Sequence, residues 1–444
     1  MLVILHGWSD SAASFRPLAR RLMEAGLDEE ITEIHLGDWL SLDDEVTYDD
    51  LSEAMMRAWR ERALPTAPRS VNLIVHSTGG LVVRDWQLRF FRPETTPIHR
   101  LLMLAPANYG SPLAHMGRSV FGRAVKGWQG SRLFETGARL LKGLELASSY
   151  TAGLAEQDWF GDQRWYGSGR VLCTVLIGNA GYTGIRALAN KAGSDGAVRV
   201  SSANLAAARL AVDFNTAPNR PTYRYGEDNR NSVAFGIIDG EDHTSLCAVG
   251  GNPRSERTLP AMLKALRLQD DELEDWVAEL AATNAEISAR RDKGRSAHYY
   301  GYQDTVFCVR DQYGNAVNDY VIEFFVNADF GRRGKRMTRD FIEDVISNVH
   351  VYKGDPSRRS FLVNCRALNR LLDRPDDQLF ISITATPDIH QRQVGFRTYT
   401  DADIGDLALN RTQVFTLFQP NRTLFVDLVL KREQRNEVFE LQAV

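Results

Sequence analysis

The stretch Asn72-Leu-Ile-Val-His-Ser-Thr-Gly-Gly-Leu-Val-Val-Arg-Asp-Trp86 decides the fold. It opens with a short apolar run of the kind that forms a buried strand, and from Leu81 onward it carries the apolar period of a helix. Between the two lies a tight turn centred on Ser77. Strand, turn and helix in that order are the setting of a nucleophile elbow, in which the turn holds a serine in a strained conformation with its hydroxyl presented at the sheet edge. The residues two before and two after such a serine have to be small, because strand and helix run close together there. Gly79, followed by Gly80, meets that demand. Val75 departs from it, since the pattern usually has glycine at that place. A helix N-cap role for Ser77 fits the same local sequence.

Working outward, short apolar runs recur at Leu2 to Leu5, Leu101 to Leu104, Val171 to Ile177 and Val233 to Ile238, separated by longer helical patterns. This alternation predicts an α/β protein with a mostly parallel sheet and helices on both faces. In open sheets of this kind ligands bind beyond the carboxyl ends of the strands. Three more motifs fall at such ends. His6-Gly7-Trp8 follows the first run, and the amide of Trp8 with that of Thr78 would supply an oxyanion hole; an ordinary strand-to-loop turn is the competing reading of His6 and Gly7. Gly193-Ser-Asp-Gly-Ala-Val follows the run Val171 to Ile177 and carries Asp195. Gly240-Glu-Asp-His-Thr-Ser follows the run Val233 to Ile238 and carries His243. Ser77 is read as nucleophile, His243 as general base and Asp195 as the acid that orients the base, in the chain order of the α/β hydrolases. Asp213, Asp239 and Asp242 compete for the last role, although Asp242 adjoins the histidine and cannot easily reach Nδ1 while Nε2 faces the serine. His76 sits on the elbow itself and is expected to pack with its ring turned from the reacting side.

From Ser111 to about Gly169 the pattern changes to glycine-punctuated amphipathic segments carrying Val120, Phe121, Val125, Trp128, Leu133, Phe134, Leu140, Leu141 and Leu144. This reads as an inserted helical cap, which would either cover an acyl-chain pocket or simply bury its apolar faces as any amphipathic helix does.

With 444 residues the chain exceeds the size at which one hydrophobic core stops growing, so two domains are expected. The first is placed at 1 to 268, followed by a charged helical linker at 269 to 298 and a smaller β-sandwich at 299 to 444. The strands of the last are read at Thr305 to Val309, Tyr320 to Val326, Leu379 to Thr384 and Thr423 to Leu430, and the segment Val309 to Phe324 resembles an immunoglobulin-like strand, turn and strand. A protein partner is one use of such a domain. Arg332, Arg333, Lys335 and Arg336 are read as a basic loop that either meets anionic head groups or is merely solvated.

A formal net charge of −4 provides no basic field for nucleic acid. The four cysteines Cys173, Cys247, Cys308 and Cys365 lie too far apart for a zinc site or a disulfide framework and are read as buried thiols of a reducing compartment. Asp10, Asp38, Asp43, Asp44 and Asp49 match no calcium-binding spacing, and the chemistry calls for neither metal nor cofactor. The amino terminus lacks the pattern of a Sec signal peptide, no apolar run approaches a membrane span, and a cytoplasmic location is expected.

His6-Gly-Trp, Val75-His-Ser-Thr-Gly-Gly80, Leu104-Ala-Pro-Ala-Asn-Tyr-Gly-Ser-Pro-Leu113, Ser194-Asp-Gly-Ala-Val198 and Asp242-His243 together resemble the lipase and phospholipase branch of the α/β hydrolases, over roughly residues 1 to 265. The resemblance implies a carboxylic ester substrate, in a phospholipid or another lipid, with transient contact at a membrane surface. Acyl transfer to an alcohol and thioester hydrolysis use the same acyl-enzyme, and a silent hydrolase-fold binding protein is the reading from another class. Some bacterial phospholipase effectors exported without a Sec signal are similar in having such a core, a helical cap and an extra β-domain.

Overall fold

The computed structural model describes residues 1–5, 15–40, 45–116, 137–215, 222–226, 230–248, 252–290, 301–326, 332–385, 394–396 and 409–434. The chain divides into two compact units: Met1–Ala206 with Asp228–Tyr300, and Ala207–Glu227 with Gly301–Val444.

In the first unit the strands are β1 (Leu2–Leu5), β2 (Ile31–Ile34), β3 (Val71–His76), β4 (Ile98–Leu104), β5 (Leu172–Gly178) and β8 (Val233–Ile238). β6 (Ala208–Asp213) and β7 (Thr222–Gly226) belong to the other unit. The six strands of the first unit form one sheet in the order β2-β1-β3-β4-β5-β8, with every pairing parallel. β1, β3 and β5 are buried along their whole length, which is why they read as mainly apolar runs, interrupted only by Asn72 and His76 in β3 and Thr174 in β5: helices cover both faces of a parallel sheet, so neither face is open to water. Helices α1 (Arg16–Glu24), α2 (Tyr48–Glu61) and α3 (Gly79–Phe90) make the first crossovers, and α4 (Ala138–Leu144) and α5 (Ser149–Asp158) precede β5. A short α6 (Val200–Ala203) follows the acidic loop. The chain moves outward from β1 to β2 and then returns to β3 on the far side of β1, so the end of β3 lies at a topological switch point, where open α/β sheets bind ligands.

After β8 come α7 (Thr258–Arg267) and α8 (Leu273–Ala289). The second of these falls where a linker helix is expected. It instead buries Leu273, Trp276, Leu280 and Ile287 within the first unit, and the Asn284 side chain bonds Ile237 N at 2.8 Å and Phe235 O at 2.8 Å on edge strand β8. Apolar residues at helical spacing form a face, and here that face covers the sheet edge.

The second unit takes β6 (Ala208–Asp213) and β7 (Thr222–Gly226) from inside the range read as hydrolase domain. It adds β9 (Tyr302–Asp311), β10 (Tyr320–Val326), β11 (Ile346–Val351), β12 (Arg358–Asn364), β13 (Gln378–Ala385), β14 (Val394–Phe396), β15 (Leu409–Asn410), β16 (Thr423–Leu430) and β17 (Arg432–Gln434). One sheet runs β11-β12-β9-β16-β6-β7, a second β10-β13-β15, and β14 pairs with β17. A single core draws Phe307, Phe361 and Val426 from the first sheet and Phe324 and Ile383 from the second, so the two sheets pack as a sandwich. β16 lies parallel to both β9 and β6, however, whereas immunoglobulin-like sheets are antiparallel. Met337, Leu368 and Val414 bring helices α9 (Arg332–Asp340), α10 (Cys365–Leu371) and α11 (Arg411–Leu417) into the same core. The residues read as a basic loop thus lie in α9, where Arg333 meets Asp377 at 3.0 Å and Arg336 meets Asp340 at 3.6 Å. Acidic neighbours occupy both guanidinium groups.

Candidate active site

Ser77 sits between β3 and α3 with a φ of +55°, a left-handed conformation that a residue with a side chain keeps only where its surroundings enforce it. The surroundings do so through the backbone. Ser77 N donates to Leu104 O at 3.0 Å, and Ser77 O accepts from Gly80 N and Ala107 N, each at 3.2 Å. A Cβ at Gly79 would lie 3.4 Å from Val75 Cβ, so the branched side chain two residues before the serine is tolerated beside the bare glycine two residues after it. Gly80 answers a second constraint: a Cβ there would stand 2.8 Å from Pro106 Cβ. The run after β4 therefore packs directly on the turn.

Asp195 lies in the loop after β5 and is fully buried. One carboxylate oxygen accepts from the amides of Ala197 at 2.9 Å and Val198 at 2.8 Å, which leaves the other to face His243 Nδ1 at 2.8 Å. Gly196, with φ of +103°, admits the Tyr182 ring where a Cβ would be 2.7 Å from it. His243 lies in the loop after β8, also fully buried, and its main-chain N–H donates to Asp195 O at 2.9 Å. Its Nε2 is 3.1 Å from Ser77 Oγ. A carboxylate only accepts, so the neutral ring carries its proton on Nδ1 and offers a bare Nε2 to the serine hydroxyl. Three segments distant in sequence thus form one hydrogen-bonded chain from carboxylate to imidazole to hydroxyl.

The competing acids are all engaged elsewhere. Asp242 accepts from Thr244 N at 2.9 Å, Ser245 N at 2.8 Å and Arg254 at 2.5 Å. Burial raises its pKa, but the Ser245 and Thr244 hydrogen bonds and the Arg254 charge outweigh burial and hold it below the ordinary carboxylate range. Asp239 bonds Asn179 at 3.0 Å and Arg290 at 2.5 Å. Asp213 belongs to the other unit and caps Asn215 N at 2.7 Å.

Of the oxyanion pair, Thr78 stands at the start of α3, and none of the described residues accepts from its amide. Trp8, His6 and Gly7 lie outside the described residues, as do Val120, Phe121, Val125, Trp128, Leu133 and Phe134 of the expected cap. Among the cap residues that are described, Leu140, Leu141 and Leu144 are buried, and at its base Ser111 Oγ donates to Ala197 O at 2.6 Å, tying it to the acid's loop.

Several residues that hold the site give no local signal in the sequence. Arg84 on α3 is completely buried and makes a two-pronged pair with Asp158, at 2.6 and 2.9 Å, while also donating to Asn108 O at 2.9 Å. Burial lowers its pKa, and the Asp158 charge more than reverses this. Asn108 in turn donates to Ala203 O at 2.8 Å. Gly178, at the end of β5, is pressed so closely against Glu241 O that a Cβ has no room there, and this brings the histidine loop over the sheet. The ring of His76, expected to point elsewhere, lies against that of His243 with centroids 4.6 Å apart. All four cysteines are buried and unbonded to one another. Among the described residues no group of His, Cys, Asp and Glu could hold a metal, and no helix is long and apolar enough to cross a membrane.

No protein-family model and no curated protein sequence matches the chain. Among solved structures, phospholipase PlaB from Legionella pneumophila superposes with a TM-score of 0.77 at 22% identity, covering 100% of this chain and 96% of that one. PlaB in complex with thio-NAD gives 0.78 at the same identity and coverage. At this identity the likeness is one of fold: the first unit has the α/β-hydrolase fold, a parallel sheet with a serine turn after β3, and the chain has a second unit rich in β-strands.

Proposed function

We propose that the chain is a serine hydrolase that cleaves carboxylic esters of lipids through an acyl-enzyme on Ser77. The observation that carries this is the buried hydrogen-bond chain from Asp195 through His243 to Ser77. In the first half-reaction Ser77 Oγ attacks the ester carbonyl carbon as its proton passes to His243 Nε2. The Asp195 carboxylate stabilises the resulting imidazolium, and the carbonyl oxygen, now negative, accepts from the Thr78 amide with Trp8 as its partner donor. Collapse breaks the bond to the alcohol oxygen, which leaves with the proton from His243. Water then gives a proton to His243 and attacks the acyl carbon, releasing the acid and restoring Ser77. No step requires a metal or cofactor. A lipid substrate is favoured because a solved protein of like fold over the whole chain is a phospholipase.

Hydrolysis of p-nitrophenyl esters from acetate to palmitate, alongside phosphatidylcholine and triglyceride vesicles, tests the reading in wild type and Ser77→Ala. Activity on long chains or vesicles is expected, falling by at least about 1000-fold in the variant. Activity confined to acetate would make the protein a general esterase, and a variant as active as wild type would remove Ser77 from the chemistry.

A further inference from the structure

On the reading just given, His243 must keep Nε2 at Ser77 while Nδ1 stays on Asp195. Its loop follows β8, and the sheet order places β4 and β5 between β8 and the strand that delivers Ser77. No strand ladder fixes the loop at that distance. Its main chain is held by side contacts instead: the His243 amide donates to Asp195 O at 2.9 Å, and the His243 carbonyl lies 3.1 Å from His76 Nε2. A carbonyl only accepts, so His76 Nε2 is the donor. His76 is 2% exposed, its ring tilted 44° to that of His243 and 5.4 Å from that of Phe15. It also immediately precedes Ser77. One peptide unit therefore presents the hydroxyl to the imidazole and the donor to the carbonyl of the same histidine.

We infer that His76 is a positioning residue whose Nε2–H locks the His243 backbone, and with it the imidazole, in register with Ser77. The inference rests on the proposed function for its kinetic arm only. His76→Phe keeps a ring and removes the donor; His76→Gln keeps a donor of similar reach and removes the ring. In His76→Phe, kcat is expected to fall by up to about 100-fold with KM within about twofold, as for a reacting group displaced by up to about an ångström, and His76→Gln is expected to recover most of that loss. The downfield Nδ1 proton resonance of His243, read by NMR on the same samples, is expected to broaden in His76→Phe and return in His76→Gln.

An unchanged kcat in His76→Phe, or a loss that His76→Gln shares in full, would overturn the inference. Should His76→Phe fail to fold, His76→Met takes its place as the variant without a donor, a fall in kcat that His76→Gln recovers supporting the lock and an unchanged kcat refuting it. Should the wild type hydrolyse no ester, the hydrolase reading fails separately and the proton resonance decides: unchanged in His76→Phe it refutes the lock, broadened there and restored in His76→Gln it supports it.

Discussion

A φ of +55° at Ser77, a bare Gly79 opposite Val75 and a Gly80 against Pro106 are constraints that neighbouring residues impose on one another. They leave a mark within a few positions of sequence, and so the elbow is legible from the order of residues alone. The same holds for Asp195 and His243, each in a glycine-flanked loop beyond an apolar run. Arg84 and Asn108 carry no such mark, since their partners lie 74 and 95 residues away. The cost of breaking such a contact is measurable. Removing one member of a buried ion pair leaves the other charged and unpaired, worth about 3–5 kcal/mol. Asp158→Ala is expected to lower stability by about that much in urea unfolding, and the double change Arg84→Met with Asp158→Leu by clearly less. A single variant within about 1 kcal/mol of wild type would show that Arg84 finds water or another acceptor.

At the scale of elements, legibility follows burial. β1, β3 and β5, covered on both faces, appear as mainly apolar runs, whereas edge strand β2, Ile31-Thr-Glu-Ile34, is only half-buried and has too few apolar residues to be seen. Helix α8 is visible in the sequence but not its place in the fold, because periodicity reveals an apolar face and says nothing about what the face covers. β4 illustrates how an element's end can depend on pH. His99, its second residue, is half-buried; burial, with the charges of Arg100 and Arg69, pushes its pKa down to about 4. The unfolded chain takes up this proton near pH 6.5 and the folded one does not until near pH 4, so stability falls as pH drops through that window and the contribution is constant outside it. Urea midpoints are expected to fall less between pH 7 and pH 4.5 in His99→Gln than in wild type. Equal slopes would mean that His99 titrates alike in both states.

At the scale of the molecule, the sequence does not disclose which strands meet. The second unit is built on β16, which pairs in parallel with β9 and with β6, the latter from a segment that interrupts the hydrolase unit. A local pattern of strands and turns resembles an immunoglobulin-like domain until such a pairing is known, and pairing between distant segments is decided by the whole core. The proposed active site is long-range too, with Ser77 and His243 166 residues apart and Asp195 and His243 48 apart. It is nonetheless legible, because a parallel sheet delivers every strand's carboxyl end to the same edge.

The most direct test of the central claim is intact-mass and peptide analysis after exposure to a fluorophosphonate, which reacts only with a serine whose hydroxyl is activated by a neighbouring base. A single adduct on the peptide containing Ser77 is expected in wild type, absent in Ser77→Ala and strongly slowed in His243→Ala. An unlabelled wild type, or labelling that survives loss of Ser77, would contradict it.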